Sequence, residues 1–557
     1  MGLEPAAGGL TRRQVLACGA LLSGALAGCG SRSAAAGIEG EIVGAAHGLG
    51  HLLREGRVPA PSRTERAAAV IAGAGVAGLA AAWTFARANL RDFVVFELEA
   101  TAGGNARAGE TALTPYPWGA HYLPLPGPEA RGVRALLADL GVIERFDRAG
   151  RPRYEERHLC HAPQERLYIH GRWQEGLFPH TGATGEDLRQ YEAFGAEIER
   201  FRRWRDGAGR RAFAIPRAAG APGAFAELDR VSMADFLAAR GWTSPRLRWY
   251  VDYACRDDFG TPLAATSAWA GVHYYASRDA DPEHGDVVLT WPEGNAWLTR
   301  RMAAAAGDRL RTGRLVVNVE PVRDGVTAVD VYEPRAERTV RVLAREVILA
   351  CPVFVAARIY RPWRERPPAF LSAFHYAPWL VANLHVERAP RDGAGAPLAW
   401  DNVLYESDSL GYVVATHQSL RTHDGPSVLT YYLPLATGSP AEARRALLDA
   451  PWSTWRERVL RDLGRAHPDL ASRVRRLDVM RYGHGMVRPE VGFVGGAALR
   501  AASTALRGPV HLAHSDLSGF SLFEEAYEWG GRAARRALAR MPGANDLTAE
   551  AGRPYGA

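Results

Sequence analysis

Gly73, Gly75 and Gly78 stand two and three residues apart, between an apolar run, Ala69-Val70-Ile71-Ala72, and an alanine-rich stretch. Read as strand, turn and helix start, this spacing suits a dinucleotide. Gly73 makes the tight turn, Gly75 lets a pyrophosphate approach the backbone, and Gly78 lets the helix pack on its strand. The free N–H groups and partial positive charge of the helix N-terminus then face the phosphates. A second apolar run, Phe93-Val94-Val95-Phe96, ends in Glu97, 24 residues past Gly73, close to the spacing of about 20 for a ribose-binding acid. Glu97 is therefore the expected ribose ligand, with Glu99 as the alternative. Far along the chain, His484 sits between two glycines in Arg481-Tyr482-Gly483-His484-Gly485-Met486, where a base or hydrogen-bond partner can be approached closely. Trp269, His273, Tyr274, Tyr275, Tyr431 and Tyr432 are the expected aromatic walls of a substrate site, and His484, Tyr274 and Tyr432 form the expected catalytic set.

Past Glu97 the chain reads Leu98-Glu99-Ala100-Thr101-Ala102-Gly103-Gly104-Asn105-Ala106-Arg107, and here it resembles the flavin-containing amine oxidase superfamily. The resemblance implies FAD, because NAD-binding chains do not normally carry this second glycine pair. In that family an arginine directly follows the pair. Here Asn105 takes that place, so Gly103, Gly104 and Arg107 become the implied cofactor contacts. The resemblance further implies that Gly119 and Ala120, in Trp118-Gly119-Ala120-His121-Tyr122, run beside the isoalloxazine ring. It also implies that Val316, in Leu315-Val316-Val317-Asn318-Val319, offers backbone groups to the adenine. Near the C-terminus, Val510-His511-Leu512-Ala513 leads into His514-Ser515-Asp516-Leu517-Ser518-Gly519. This resembles the family's last flavin motif with His514 and Ser515 in place of its glycine, and it implies a ribityl contact from Asp516 or Ser515. A helix after Gly519 would aim its positive end at N1 and C2=O of the flavin.

The elements that must hold these residues predict an α/β fold. A Rossmann-like FAD-binding domain is assembled from three chain segments, 66–122, 291–352 and 501–540, with an interleaved α+β substrate domain from 123–290 and 353–500. The stretch from Leu123 to Trp291 reads as helical and aromatic-rich. Strands are expected at Trp379–His385 and Ser427–Leu433, and helices at Glu442–Leu448 and Trp452–Gly464. Residues 541–557 read as a loose tail.

The chain of 557 residues contains no lysine at all, so its net charge of +7 is carried by arginine. That excludes a P-loop lysine, a Schiff-base lysine and a lysine-activated serine. No arginine run is interleaved with aromatics as a nucleic-acid groove requires, so no nucleic acid is expected as a partner. The first 29 residues read as a targeting segment. Thr11-Arg12-Arg13-Gln14-Val15-Leu16 resembles a twin-arginine export signal, and Leu26-Ala27-Gly28-Cys29 resembles a bacterial lipobox. Together they imply export across the bacterial cytoplasmic membrane to the periplasm or cell surface, anchored by lipid on Cys29. Residues 30–65 read as a tether with one apolar stretch, Ile38–Leu53, able to pack on the body. His47 and His51, four apart, have no acid or cysteine to complete a metal set, so no metal is expected. Beyond Cys18 and Cys29 only Cys160, Cys255 and Cys351 remain, too few for a disulfide framework.

The expected function is that of an exported FAD-dependent oxidoreductase that takes a hydride from a small organic substrate, an amine or polyamine, to flavin N5. The alternatives are a desaturase of an apolar, phytoene-like substrate and a non-catalytic flavin-bearing lipoprotein. Many members of the resembling family hold a water by N5 with a lysine. Without one, a quinone or carrier protein is favoured over oxygen as the electron acceptor.

Overall fold

The structure is a computed structural model that describes residues 37–541 except 45, 57, 280–282, 284, 324 and 420–424. The export signal, Cys18, Cys29 and the tail from 542 onward lie outside the described residues. A seven-stranded sheet forms the first layer. At its centre Pro61–Ala72 runs parallel to Phe93–Phe96 on one side and to Arg338–Leu349 on the other. Leu310–Arg311 extends it beyond Phe93–Phe96, and Val510–Leu512 joins Arg338–Leu349 in parallel. Thr327–Glu333 and Leu315–Pro321 complete it as an antiparallel ribbon. Three distant parts of the chain therefore build one sheet. The apolar runs Ala69–Ala72 and Phe93–Phe96 are buried throughout, because a parallel strand covered on both faces leaves no polar side.

Helix Val76–Arg87 packs on the helix Phe523–Leu538 with backbones nearly touching. A Cβ on Gly530 would lie 2.0 Å from the Ala77 carbonyl oxygen, so only glycine fits there. This contact brings the N-terminal turn and the last lobe together around one core, although more than 400 positions separate them.

An eight-stranded sheet forms the second layer, in the order Ile42–Val43, Val474–Val487, Tyr376–Val386, Ser427–Pro434, Tyr412–Val414, Asp401–Leu404, Glu165–Ile169 and Arg172–Glu175. Tyr376–Val386 and Ser427–Pro434 cover the two expected strands, whereas Val474–Val487 is not among those expected, and the helices Pro440–Asp449 and Trp452–Leu463 lie where the helical spacing placed them. One further feature differs. The stretch from Leu123 to Trp291 is not helical throughout, since it contributes the strands Glu165–Ile169 and Arg172–Glu175 to this sheet. The apolar stretch Ile38–Leu53 of the tether packs on the body, as its composition allowed. Ile38 is buried in the core beneath the second sheet, Ile42–Val43 pairs with Val479 and Met480, and helix His47–Glu55 bridges to the first sheet. A short apolar segment next to an open sheet edge gains more by pairing and burial than by remaining a linker.

Candidate active site

The glycine turn has the geometry that its spacing implies. Gly73 has φ +107°, and a Cβ there would meet the Ala350 carbonyl oxygen at 2.3 Å. Gly75 caps the helix from Val76, and Gly78 has no room for a side chain against the Gly73 carbonyl. The second glycine pair closes on the first turn: Gly103 donates its N–H to Ala74 at 2.8 Å, and a Cβ on Gly104 would come within 3.1 Å of the Gly75 Cα. Glu97 sits at the end of its strand with both carboxylate oxygens accepting backbone amides, from Ala74 at 2.7 Å and from Glu99 at 2.9 Å. Burial pushes its pKa up, against those two amides. Val316 is the second residue of strand Leu315–Pro321, just after Arg314, which donates its N–H to the Glu97 carbonyl.

Arg107 is held in place by its neighbours. Its Nε donates to the Gly104 carbonyl at 2.9 Å, and it pairs with Glu99 at 3.1 Å. Glu99, the alternative ribose acid, also takes the Ala46 N–H at 2.8 Å, so it is tied to the N-terminal helix. Asn105 donates to the Gly485 carbonyl at 2.6 Å.

Asp516 is 1% exposed. Its Oδ2 accepts the Val353 N–H at 2.9 Å and the Tyr376 hydroxyl at 2.6 Å. Burial works to raise its pKa, but His514, Tyr376 and the Val353 amide together hold it below the usual value. Oδ1 has no hydrogen-bond partner among the described residues. The nearby His514 Nδ1, 3.0 Å away, already takes the Asp516 N–H. A buried carboxylate oxygen without a donor suits a ligand hydroxyl, and with the glycine cradle the residues present fit the FAD that the resemblance implies. Ser515 is buried beside it.

Gly119 and Ala120 lie against Asn105, where the Ala120 N–H reaches the Asn105 carbonyl at 2.9 Å. The Gly119 carbonyl in turn accepts the Tyr432 hydroxyl at 2.9 Å. His121 stacks on Tyr432 with centroids 4.4 Å apart. Burial lowers the pKa of His121 to about 4, with a hydrogen bond to Gly119 acting the other way, so at neutral pH one ring nitrogen is unprotonated. Trp400 lies 5.4 Å from His121, and Tyr122 lies 6.0 Å from Trp400. Tyr122 donates its hydroxyl to Asp257 at 3.2 Å.

The structure thus brings Tyr432 to Gly119, while Tyr274 lies near Asp257 and Arg278. His484 is set apart from both. It stacks on Phe354 at 4.4 Å and lines an apolar cavity of about 680 Å³ with Leu53, Val353, Tyr376 and Arg444, whose lining includes neither Tyr274 nor Tyr432. Although exposed within that cavity, His484 is lowered to about 4 by desolvation, Arg444 and Arg54. Three of the expected walls are core residues instead. His273 is fully buried, bonded to the Ala214 carbonyl and stacked on Phe520. Trp269 donates to the Ala224 carbonyl. Tyr431 points to the opposite face of its strand from Tyr432 and donates to Asp462, as alternation along a strand requires. Tyr275 packs against Phe194 and Tyr250.

His121, Tyr122, Asp257, Asp401 and Glu165 carry no part in the sequence-based site. The signal for His121 and Tyr122 was their place directly after Gly119-Ala120, while the three acids have none at the level of spacing. Among the described residues no group of three or more His, Cys, Asp or Glu could hold a metal ion, and Cys160, Cys255 and Cys351 are free thiols. No helix among the described residues is long and apolar enough to cross a membrane.

The profile of the family described as flavin containing amine oxidoreductase matches residues 76–538. Among solved structures, putrescine oxidase bound to putrescine is 19% identical, covering 86% of this chain and 100% of its own, with a TM-score of 0.56. Cyclohexylamine oxidase from Brevibacterium oxydans IH-35A is 19% identical over 85% of this chain and 98% of its own, with a TM-score of 0.58. A fatty acid isomerase from P. acnes that produces CLA has the same fold at 13% identity, covering 84% of this chain and 98% of its own, with a TM-score of 0.55. No curated protein matches by sequence.

Proposed function

This chain belongs to the flavin-containing amine oxidoreductase family, and from that premise we propose that it oxidises a small amine or polyamine at the carbon bearing nitrogen. FAD, when bound, would supply the acceptor for the hydride of that carbon. Gly73, Gly75, Gly78, Glu97, Gly103, Gly104, Val316 and Asp516 would hold the cofactor, with Arg107 ordering the loop and Gly119 and Ala120 beside the ring. The observation that carries the reading is the Tyr432 hydroxyl on the Gly119 carbonyl, with His121 stacked against it. It sets an aromatic wall and a neutral imidazole beside the backbone where the ring is expected. Enclosure away from water disfavours a charged ammonium and so favours the neutral amine, whose lone pair hydride removal requires. The unprotonated His121 nitrogen can accept a hydrogen bond from that amine.

Anaerobic bleaching of the bound flavin by a panel of amines, polyamines and polyenes tests this. Bleaching by amines supports it, and bleaching by polyenes alone rejects it in favour of a desaturase. The apolar cavity beside His484 is the observation that favours that second reading.

The absence of lysine supports a quinone or carrier protein ahead of oxygen as acceptor, and anaerobic turnover with a soluble quinone against oxygen uptake decides between them. The twin-arginine and lipobox motifs support export with a lipid on Cys29. Arg12→Ala with Arg13→Ala should keep the precursor in the cytoplasm, and Cys29→Ala should remove the lipid. Fractionation in which both variants distribute as wild type rejects this assignment.

A further inference from the structure

The cavity beside His484 is lined by neither Gly119 nor Tyr432, and its walls carry an unbalanced charge. Leu53, Phe354, Trp363, Leu371, Phe374 and Pro440 make them apolar, and Arg358, Arg364 and Arg444 stand among these residues. No Asp or Glu lines the cavity. Glu365, next to Arg364 in the chain, pairs instead with Arg361 at 2.7 Å. Glu442, two residues before Arg444, caps its helix by accepting the Ser439 hydroxyl at 2.6 Å.

The three arginines have only neutral acceptors or none. Arg364 donates to the Asn318 side-chain oxygen at 3.0 Å and to the Arg358 carbonyl at 3.4 Å. Arg444 donates its Nε to the Gly483 carbonyl at 2.7 Å, and burial lowers its pKa. The Arg358 guanidinium has no hydrogen-bond or ion-pair partner among the described residues. A guanidinium set in an apolar wall without a counter-charge is left short of the solvation it had in water. After burial, the charges of Arg444, Arg54 and His51 all lower the pKa of His484, with Asp516 acting the other way. The potential inside the cavity is therefore positive, and it repels an ammonium.

The other polar groups of the lining are already engaged. The Tyr376 hydroxyl is held by Asp516, His375 by Glu490 at 2.6 Å, and the Ser439 hydroxyl by Glu442. That leaves the arginines and His484 to meet a polar head, while the remaining wall can only cover apolar surface. One anionic head on an apolar body matches this distribution: the head makes charge-assisted hydrogen bonds to guanidinium, and the body buries against the rings and aliphatic side chains. A volume of about 680 Å³ falls within the range that takes a small organic ligand.

We propose that this cavity binds a fatty-acid-like anion, one carboxylate on an apolar chain, with its head on the arginines and its chain along Phe354, Trp363 and Leu371. The site is separate from the reacting centre beside Gly119, so it does not rest on the amine reading above.

Calorimetric titration of the purified holoenzyme with decanoate below its micelle concentration tests this, against propanoate, which has the head without the chain, and 1-decanol, which has the chain without the charge. Decanoate should saturate one site, and both controls should bind roughly tenfold more weakly or worse, the scale of one charge-assisted hydrogen bond. Arg358→Gln combined with Arg444→Gln should weaken decanoate by a similar factor, while Arg358→Lys combined with Arg444→Lys, which keeps the charge, should restore most of the affinity. Neither arginine side chain bonds to the residues named for the cofactor, so flavin content and melting temperature should stay as in wild type and show that the variants are folded. Decanol binding as tightly as decanoate overturns the proposal, as does full affinity in the folded Gln variant. Binding seen only with phosphatidylglycerol vesicles overturns it in favour of a membrane-facing surface. Decanoate that bleaches the flavin anaerobically overturns the separation of this cavity from the reacting centre.

Discussion

The Glu97 carboxylate accepts the N–H of Ala74 at 2.7 Å and that of Glu99 at 2.9 Å, so the acid closing the second strand clamps the glycine turn closing the first. Each oxygen already takes one backbone donor. In Glu97→Gln the amide can offer only one acceptor, which forces its NH₂ against a peptide N–H. The expected loss is about 1–3 kcal/mol of stability, the cost of a buried donor left unsatisfied, with flavin retention falling at least tenfold. Thermal melts and flavin content after gel filtration check this, and full flavin retention rejects the role of Glu97.

Tyr432 and Tyr431 give a matched pair. Tyr432→Phe removes the hydroxyl from Gly119 and should lower turnover severalfold with flavin still bound. Tyr431→Phe removes the donor to Asp462 in the core and should lower the melting temperature while turnover per flavin stays as in wild type. Equal effects of the two on turnover would show that the Gly119 contact carries nothing special.

His484 lines the cavity shared by Val353 and Tyr376, the two residues that hold Asp516. His484→Asn is therefore expected to change flavin retention while keeping turnover per bound flavin within about threefold. A drop of about 100-fold, the scale of losing a general base, would return His484 to the reacting centre. Stopped-flow reduction normalised to flavin content distinguishes the outcomes.

Burial and like charge push Asp257 up from 3.8 to about 7, and burial with Asp286 pushes Glu165 up from 4.5 to about 7. Asp258 and Arg278 also face Asp257, and the Leu177 amide faces Glu165. A carboxyl whose folded pKa lies above its unfolded value stabilises fully below the unfolded pKa, and that stability is lost as pH rises through the folded pKa. The ligand-free holoenzyme should thus lose melting temperature from about pH 4 to about pH 7 on account of these groups. Thermal melts between pH 4 and pH 8 check this, and a melting temperature that rises over that interval would contradict these charge states.

Helix His47–Glu55 is tied to the cofactor cradle through the Ala46 N–H on Glu99, and Glu99 pairs with Arg107. Ala46 has φ −69°, a value that proline also adopts. Ala46→Pro removes that donor while keeping the φ of Ala46 and should release flavin severalfold faster. Dialysis followed by flavin absorbance measures it, and unchanged release would make the helix a bystander.

The sequence by itself determined the cofactor cradle. Gly73, Gly78, Gly103 and Gly104 record local needs of the backbone, a positive φ or a contact too close for a Cβ, and such needs are written at the position where they act. The acid Glu97 follows at a distance set by one helix and one strand. The strands Tyr376–Val386 and Ser427–Pro434 and the helices Pro440–Asp449 and Trp452–Leu463 were legible for the same reason, since periodicity is local. The sides chosen by Tyr431 and Tyr432 were not, because adjacent residues of a strand face opposite ways and only the packed sheet decides which face meets Gly119. That Ile38–Leu53 could pack on the body was legible, but its partner was not, because Ile42–Val43 pairs with a sheet edge built by residues more than 400 positions away. Least legible was the meeting of Glu165, Asp257 and Asp401, taken from two strands and a helix. Coulomb energy depends on separation in space and on the dielectric around the charges, and both exist only once the chain has folded.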